Sequence, residues 1–229
     1  MDLIPKDVKF RHYRLQLFSK KTRFLRLKEI LSNVEALRRI ITRRAPKNAY
    51  FTPVKWLNPI YTGKTKSELD VMLSFPLFFD IDMKLLSTPT FSEAKSNAAN
   101  LIDYLERKYG RSPNLIVFSG NQGFHVYYWN WDGEQLVRSS PKKRMEEFKK
   151  RRTKTLGELK RHKIVVDETV TNDPYRLLKI PYTLHGTTGL IAKPVDNIHD
   201  FRPEKSGLAF SRQAYSELFH VDLNRFQEQ

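Results

Sequence analysis

Residues 77–84, LFFDIDMK, set Asp80 and Asp82 one residue apart at the end of an apolar run. Side chains two apart on a strand share a face and stand ~6.5–7 Å from each other along the chain. The two acids therefore take one side, and Phe79, Ile81 and Met83 take the core side. Few local patterns restrict a fold more: a sheet strand is required here, and its polar face must end where charge is tolerated. Two hard carboxylates side by side repel unless a divalent cation lies between them, and Mg²⁺ and Mn²⁺ favour such oxygen ligands. A strand ending in a solvated acidic turn accounts for the same residues. So does a phosphatase or glycosyltransferase, although a haloacid-dehalogenase-type phosphatase expects Thr or Val where this chain has Lys84.

Strand and helix patterns alternate around this segment. Leu25, Leu27, Ile30, Leu31, Val34, Leu37 and Ile40–Ile41 recur at helical spacing among basic residues, predicting a helix across RFLRLKEILSNVEALRRIITRRAP that Pro46 closes. AYFTPVKWLNP (49–59) reads as an edge strand or extended segment, and VMLSFPLFFDIDM (71–83) as one buried strand. A helix is expected over 92–110, with Ser92 as N-cap and Gly110 as its stop. NLIVFSG and GFHVYYWNW read as a hairpin turned at Gly120–Gly123, and 140–163 as a basic helix. IVVDETV (164–170) reads as a strand, YRLLKIPYTLHGTTGLIAKPV as short helix, turn and strand, and SRQAYSELF as a helix in the tail. No repeat, low-complexity tract or linker interrupts the chain. One domain over 1–229 is expected, with a basic helical segment at 1–47, the core motifs at 48–196 and a tail at 197–229. This order of elements predicts an α+β fold, with a two-layer α/β arrangement as its variant.

Three more stretches bear on chemistry. Asp167 ends the apolar VVD and supplies a third acid; alone it is explained equally well as a strand-end cap. Three acids at neighbouring strand ends would make a two-metal site, able to activate a hydroxyl and hold a leaving pyrophosphate. SGNQGFHVYYW (119–129) has small residues that let backbone amides approach an anion, with Ser119 at its start and His125 beyond the turn. It lacks the Lys-Ser/Thr ending of a P-loop, and the GKT at 63–65 has Asn58 where the first glycine should stand. RLLKIPYTLHGTTG (176–189) gathers Arg176, Lys179 and His185 on a Pro-constrained turn, a grouping suited to a triphosphate or to a charge-balanced surface loop.

The charge balance narrows the partners. Forty-one Lys and Arg against 25 Asp and Glu leave a formal charge of +16, which points to a polyanion, nucleic acid first among them. There is no cysteine, so disulfides, thiolate zinc and a cysteine nucleophile are excluded. No apolar stretch has the ~18 residues of a membrane helix, and MDLIPKDVKFRHYR does not resemble a secretory signal. A soluble, cytoplasmic and nucleoid-associated protein is expected.

Taken in order, AYFTPVKWLNP, LFFDIDMK, SGNQGFHVYYW, VVDETVTNDPYRLLK and IPYTLHGTTGLIAKPV resemble the motif series of the archaeal-eukaryotic primase superfamily. The likeness is strongest to the small catalytic subunits of DNA primases and covers roughly residues 48–196. It implies an RRM-like sheet fused to a second α/β layer, the primase-polymerase catalytic core. It implies template-dependent nucleotidyl transfer with two divalent ions, Mg²⁺ or Mn²⁺, on Asp80, Asp82 and Asp167. By the same match Ser119 and His125 would contact the incoming nucleotide's phosphates, and Lys179, His185 and Arg176 its triphosphate or sugar. The partners implied are single-stranded DNA template and primer, an NTP or dNTP, and a large primase subunit, with no membrane.

Two positions depart from the family pattern: Gln122 stands where Arg is frequent, and Thr187 where Lys is usual. A zinc module cannot be built from thiolates, and the basic helix at 140–163 takes its place. A catalytically weak, nucleic-acid-binding accessory subunit is the main alternative, and a metal-dependent phosphatase a more remote one. The basic helices over 20–44 and 142–163 are expected to hold template or primer by phosphate contact, with Tyr127 and Trp129 either stacking on bases or packing in the core.

Overall fold

The computed structural model describes residues 7–18, 23–61, 71–131 and 140–202. The GKT at 63–65 and the helix expected in the tail lie outside the described residues.

Two four-stranded antiparallel sheets form the frame. In the first, β1 (Tyr13–Leu17) lies between β2 (Arg23–Arg26) and β3 (Asn48–Phe51). A short β9 (Leu178–Lys179) extends β3 at the edge. Between β3 and the second sheet, β4 (Lys55–Trp56) and β5 (Met72–Ser74) form a small separate ribbon. In the second sheet β8 (Gly123–Tyr128) lies between β6 (Leu77–Asp82) and β7 (Leu115–Phe118), and β10 (Lys193–Pro194) pairs with β7. The expected hairpin is thus β7–β8. With its helices, this is the α+β fold that the element order predicts.

The second sheet is clad on both faces. Phe79, Ile81, Phe118, Phe124 and Val126 pack with Ala94, Ala98, Leu101 and Leu105 of α2 (Phe91–Tyr109). On the other face Phe78, Val117 and Tyr127 meet Leu15, Ala49 and Phe51 of the first sheet and Leu37 and Ile41 of α1 (Val34–Arg44). That is why β8 is buried at every position. It also settles Tyr127, whose ring stacks 4.7 Å from Trp129 and lies inside the core, where no base can reach it.

Several local expectations change. The segment 23–33 is not helical: Arg23–Arg26 pairs with β1, and α1 begins only after Asn33, whose Oδ1 accepts from the Ala36 amide at 2.9 Å. Leu25 and Leu27 suit a period of two as well as a helical one, and pairing with β1 decides between them. Thr90, not Ser92, caps α2, through a 3.2 Å bond from the Glu93 amide; Gly110 closes it at φ 62°. The run 71–83 is broken at Phe75–Pro76, where proline can donate no ladder bond.

The freed carbonyls of Phe75 and Pro76 both accept, at 2.7 Å, from Arg152 on α3 (Pro141–Arg161). Arg152 has no exposed surface, so part of the basic helix's charge serves the fold. The same helix carries Gly157, where an added Cβ would meet nothing within 4 Å. Gly157→Ala is expected to stabilise the protein by about 0.5–1 kcal/mol, read as a higher midpoint in urea at unchanged slope.

Residues 164–170 depart furthest from expectation. No strand ladder forms; the chain runs to Asp167 and turns at once into α4 (Glu168–Asn172). Asp167 is the N-cap, its Oδ1 accepting from the Val170 amide at 3.0 Å, and a short polar cap overrides the β-branched run before it. Nor does a helix form after Tyr175: Arg176 follows a turn and the chain enters β9. Among the described residues no helix is long and apolar enough to cross a membrane.

Candidate active site

The face of β6 that buries Phe78 continues through Asp80 to Asp82, so one strand runs from core to pocket. Opposite them on β8 stand Tyr127, His125 and Gly123. The pocket opens between the two sheets, with Asp80, Asp82 and His125 on one wall and Tyr50 and Lys179 on the other. Ser119 and Gln122 of the hairpin turn, and Arg176 and His185 of the late segment, complete it. Asp167 sits beside Asp80, its amide donating to the Asp80 carbonyl at 2.8 Å.

Gly123 makes the pairing of β6 with β8 possible. A Cβ there would lie 1.6 Å from the Ile81 carbonyl oxygen, so the strands pair this closely only without a side chain. Gly120, at φ 82°, lets the turn approach the late segment: its missing Cβ would stand 2.9 Å from that of His185. Thr188 Oγ1 donates to the Gly120 carbonyl at 2.5 Å and fastens the two together.

The β6 wall of the pocket is acidic. Burial, then the nearby Asp82 and Asp167, push the Asp80 carboxyl up from 3.8 to about 7 despite Arg176 and Lys84. Asp82 accepts from the Lys84 amide at 3.1 Å and pairs with its exposed ammonium at 3.1 Å, a contact worth little in water. His125 Nε2 lies 3.6 Å from Asp80 Oδ1, too far for a hydrogen bond. Burial, Lys179 and Arg176 lower the imidazole to about 4, so it is neutral near pH 7, and its Nδ1 has no partner among the described residues.

The opposite wall carries basic side chains. Lys179 is buried, which lowers its ammonium to about 7. Its Nζ donates to Asn48 Oδ1 and lies 5.5 Å above the Tyr50 ring. The same Asn48 oxygen accepts from the Gly186 amide at 3.1 Å, so one side chain holds both the late lysine and the glycine turn. Burial first, then Lys179 and Lys47, drive His185 down to about 4. Sequence reasoning did not single out Asn48 or Tyr50. Their signal was the alternation in NAYF, which puts both opposite the buried Ala49 and Phe51.

All eight residues expected at the site therefore fall in or beside one pocket. Hard oxygen donors crowded enough to raise a carboxyl's pKa suit a divalent cation. Among the described residues no three His, Cys, Asp or Glu side chains are gathered closely enough to hold a metal ion by themselves. Asp80 and Asp82 are the donors on the pocket wall, and Asp167 spends one oxygen on its helix cap.

No family profile matches the chain. It is 29% identical to the DNA primase small subunit PriS of Pyrobaculum calidifontis, across 75% of this chain and 67% of that protein. Its relatives are DNA primase small subunits. PriS of Pyrobaculum islandicum is 29% identical across 71% of this chain and 64% of its own length, and PriS of Saccharolobus solfataricus 26% across 86% and 73%. The chain spans about two thirds of the length of the Pyrobaculum PriS relatives. In three dimensions it is similar to the polymerase domain of Mycobacterium tuberculosis Ligase D in complex with DNA, at a TM-score of 0.54 and 14% identity. That match covers 93% of this chain and 81% of the other, and at that identity it speaks for the fold. The resemblance read from the motif series thus holds: this is a primase-polymerase fold with PriS relatives.

Proposed function

We propose that the chain is a template-dependent nucleotidyltransferase that makes or extends primers on single-stranded DNA. The observation that carries this is one pocket lined both by Asp80 and Asp82 of β6 and by Arg176 and Lys179 of the β9 segment. His125 of β8 and His185 of the turn after β9, both neutral near pH 7, line it beside them. A triphosphate needs both signs of charge: cations along the β and γ phosphates, carboxylates beside the reacting α phosphorus. The PriS relatives and the solved polymerase domain support the same reading.

Asp80, Asp82 and Asp167 would hold Mg²⁺ or Mn²⁺, which lowers the pKa of an attacking hydroxyl and offsets phosphate charge. Lys179 and Arg176, with His185, bind and orient the triphosphate, and Asn48 fixes the first of these. Ser119 and the neutral His125 offer hydrogen bonds to phosphate oxygens at the hairpin end. The hydroxyl oxygen bonds to the α phosphorus as the bond to the pyrophosphate oxygen breaks; the proton passes to solvent. The whole of 1–229 is read as one catalytic domain, acting in the cytoplasm, and a large primase subunit is the proposed protein partner.

The test is synthesis by the 229-residue chain on primed and unprimed single-stranded templates with labelled NTPs or dNTPs and Mg²⁺ or Mn²⁺. Labelled product is expected from the wild type and not from Asp82→Ala. DNA binding with no product from the wild type would favour an accessory subunit instead. Hydrolysis of simple phosphate esters would favour a phosphatase.

A further inference from the structure

The first sheet has two faces with different fates. Tyr13, Leu15, Ala49, Phe51 and Leu178 point into the core. The alternate residues Arg14, Phe24, Arg26, Tyr50 and Lys179 share the opposite face. Phe24 keeps 53% of its surface exposed, although its ring lies only 6.4 Å from that of Tyr50. Tyr50 in turn carries Lys179 above it and lines the active-site pocket. An aromatic track thus runs from the outer strand β2 across the sheet into the pocket.

Arginines flank that track. Arg14 and Arg26 are cross-strand partners, and like charges placed directly opposite each other repel. The Arg14 Nε donates to His12 Nε2 at 3.2 Å, and Arg26 reaches the Pro59 carbonyl at 3.5 Å, so both are held at the sheet. Exposed ring, paired guanidinium groups and direct continuity with a nucleotide pocket are the three features that a single strand of nucleic acid uses.

We infer that the Phe24 side of the first sheet is the seat of the unpaired template strand, with a base stacked on Phe24 and phosphate held by Arg14 and Arg26. This rests on the polymerase reading above and locates the DNA on the sheet rather than on the basic helices alone. Stacking selects single strands, because the faces of paired bases are already covered in a duplex.

The experiment is fluorescence anisotropy with a labelled single-stranded oligonucleotide, its abasic counterpart and a duplex of equal length, without nucleotide or divalent ion. Failure here leaves the synthesis assay to judge catalysis by itself. Phe24→Ala is expected to weaken single-strand binding about ten-fold and to leave abasic binding unchanged, since the lost contact is to a base. Arg14→Gln should weaken both single strands and reduce the salt slope by about 1. Phe24→Tyr, which keeps the ring, should restore affinity and shows whether any loss in the alanine variant is one of folding. The inference is overturned if Phe24→Ala binds the single strand as the wild type does. It is overturned equally by the same loss on the abasic strand, or by a preference for duplex that the substitution reduces.

Discussion

Asp80→Asn is expected to abolish DNA synthesis and, in the absence of divalent ions, to make the protein harder to unfold. The activity loss should be at least ~10²–10³-fold, the scale of losing one charge-stabilising group at a reacting phosphate. The stability gain follows from the proton balance. Folding raises the Asp80 carboxyl from 3.8 to about 7, through burial and then Asp82 and Asp167. Between those pH values the native state keeps a proton that the unfolded chain has released, so stability falls as pH rises from about 4 to about 7. Above the window the full penalty applies, on the order of 2–4 kcal/mol once allowance is made for solvent at the carboxylate. Asn carries no charge and escapes it.

Lys179 has the opposite window. Its lowered ammonium makes stability rise with pH from about 7 toward 10.5, so the two groups separate on a pH scan. His125 and His185, lowered to about 4, give a slope of opposite sign below 6.5 in both proteins. The Asp80 effect is therefore read as the difference between wild type and Asp80→Asn in thermal unfolding in chelator from pH 4 to 8. Mn²⁺ should raise the midpoint of the wild type at pH 8 more than that of the variant. A variant less stable than the wild type in chelator at pH 8 would sink this account of the acidic wall.

The second large effect belongs to Gly123→Ala. The new methyl would sit 1.6 Å from the Ile81 carbonyl oxygen, 2.7 Å from its carbon and 3.1 Å from the Asp82 Cα. All three are backbone atoms on the neighbouring strand, so no side chain can swing aside. β6 and β8 must part, at a cost of about 3–5 kcal/mol, and Asp80 and Asp82 move with them. Denaturant unfolding should show the loss beside the gain at Gly157→Ala, two identical substitutions with opposite signs. A change under ~1 kcal/mol would mean that β6 and β8 pair more loosely than described.

The residues that share a strand with their signal were legible in the sequence. Alternation put Asp80 and Asp82 on one face, and two apolar runs about a glycine turn gave the β7–β8 hairpin. What failed was competition between local and distant partners. The IVVD run has strand propensity, but Asp167 can cap a helix and does, so the acid reached its expected neighbourhood through a different element. The apolar residues of β2 fit two periods, and only pairing with β1 chose one. Asn48 was invisible because its importance lies in Lys179 and Gly186, both more than 130 positions away. Tyr127 shared a face with His125 as expected, yet that face closes into the core within one strand.

Arg152 alters what the formal excess of positive charge means for this molecule. A guanidinium sealed beneath the Phe75 and Pro76 carbonyls, 4.9 Å from the Phe148 ring, has no counterion atmosphere to surrender when a polyanion arrives. Ion release on association therefore draws on fewer groups than the amino-acid count supplies. The grip on DNA depends on where the remaining cations stand.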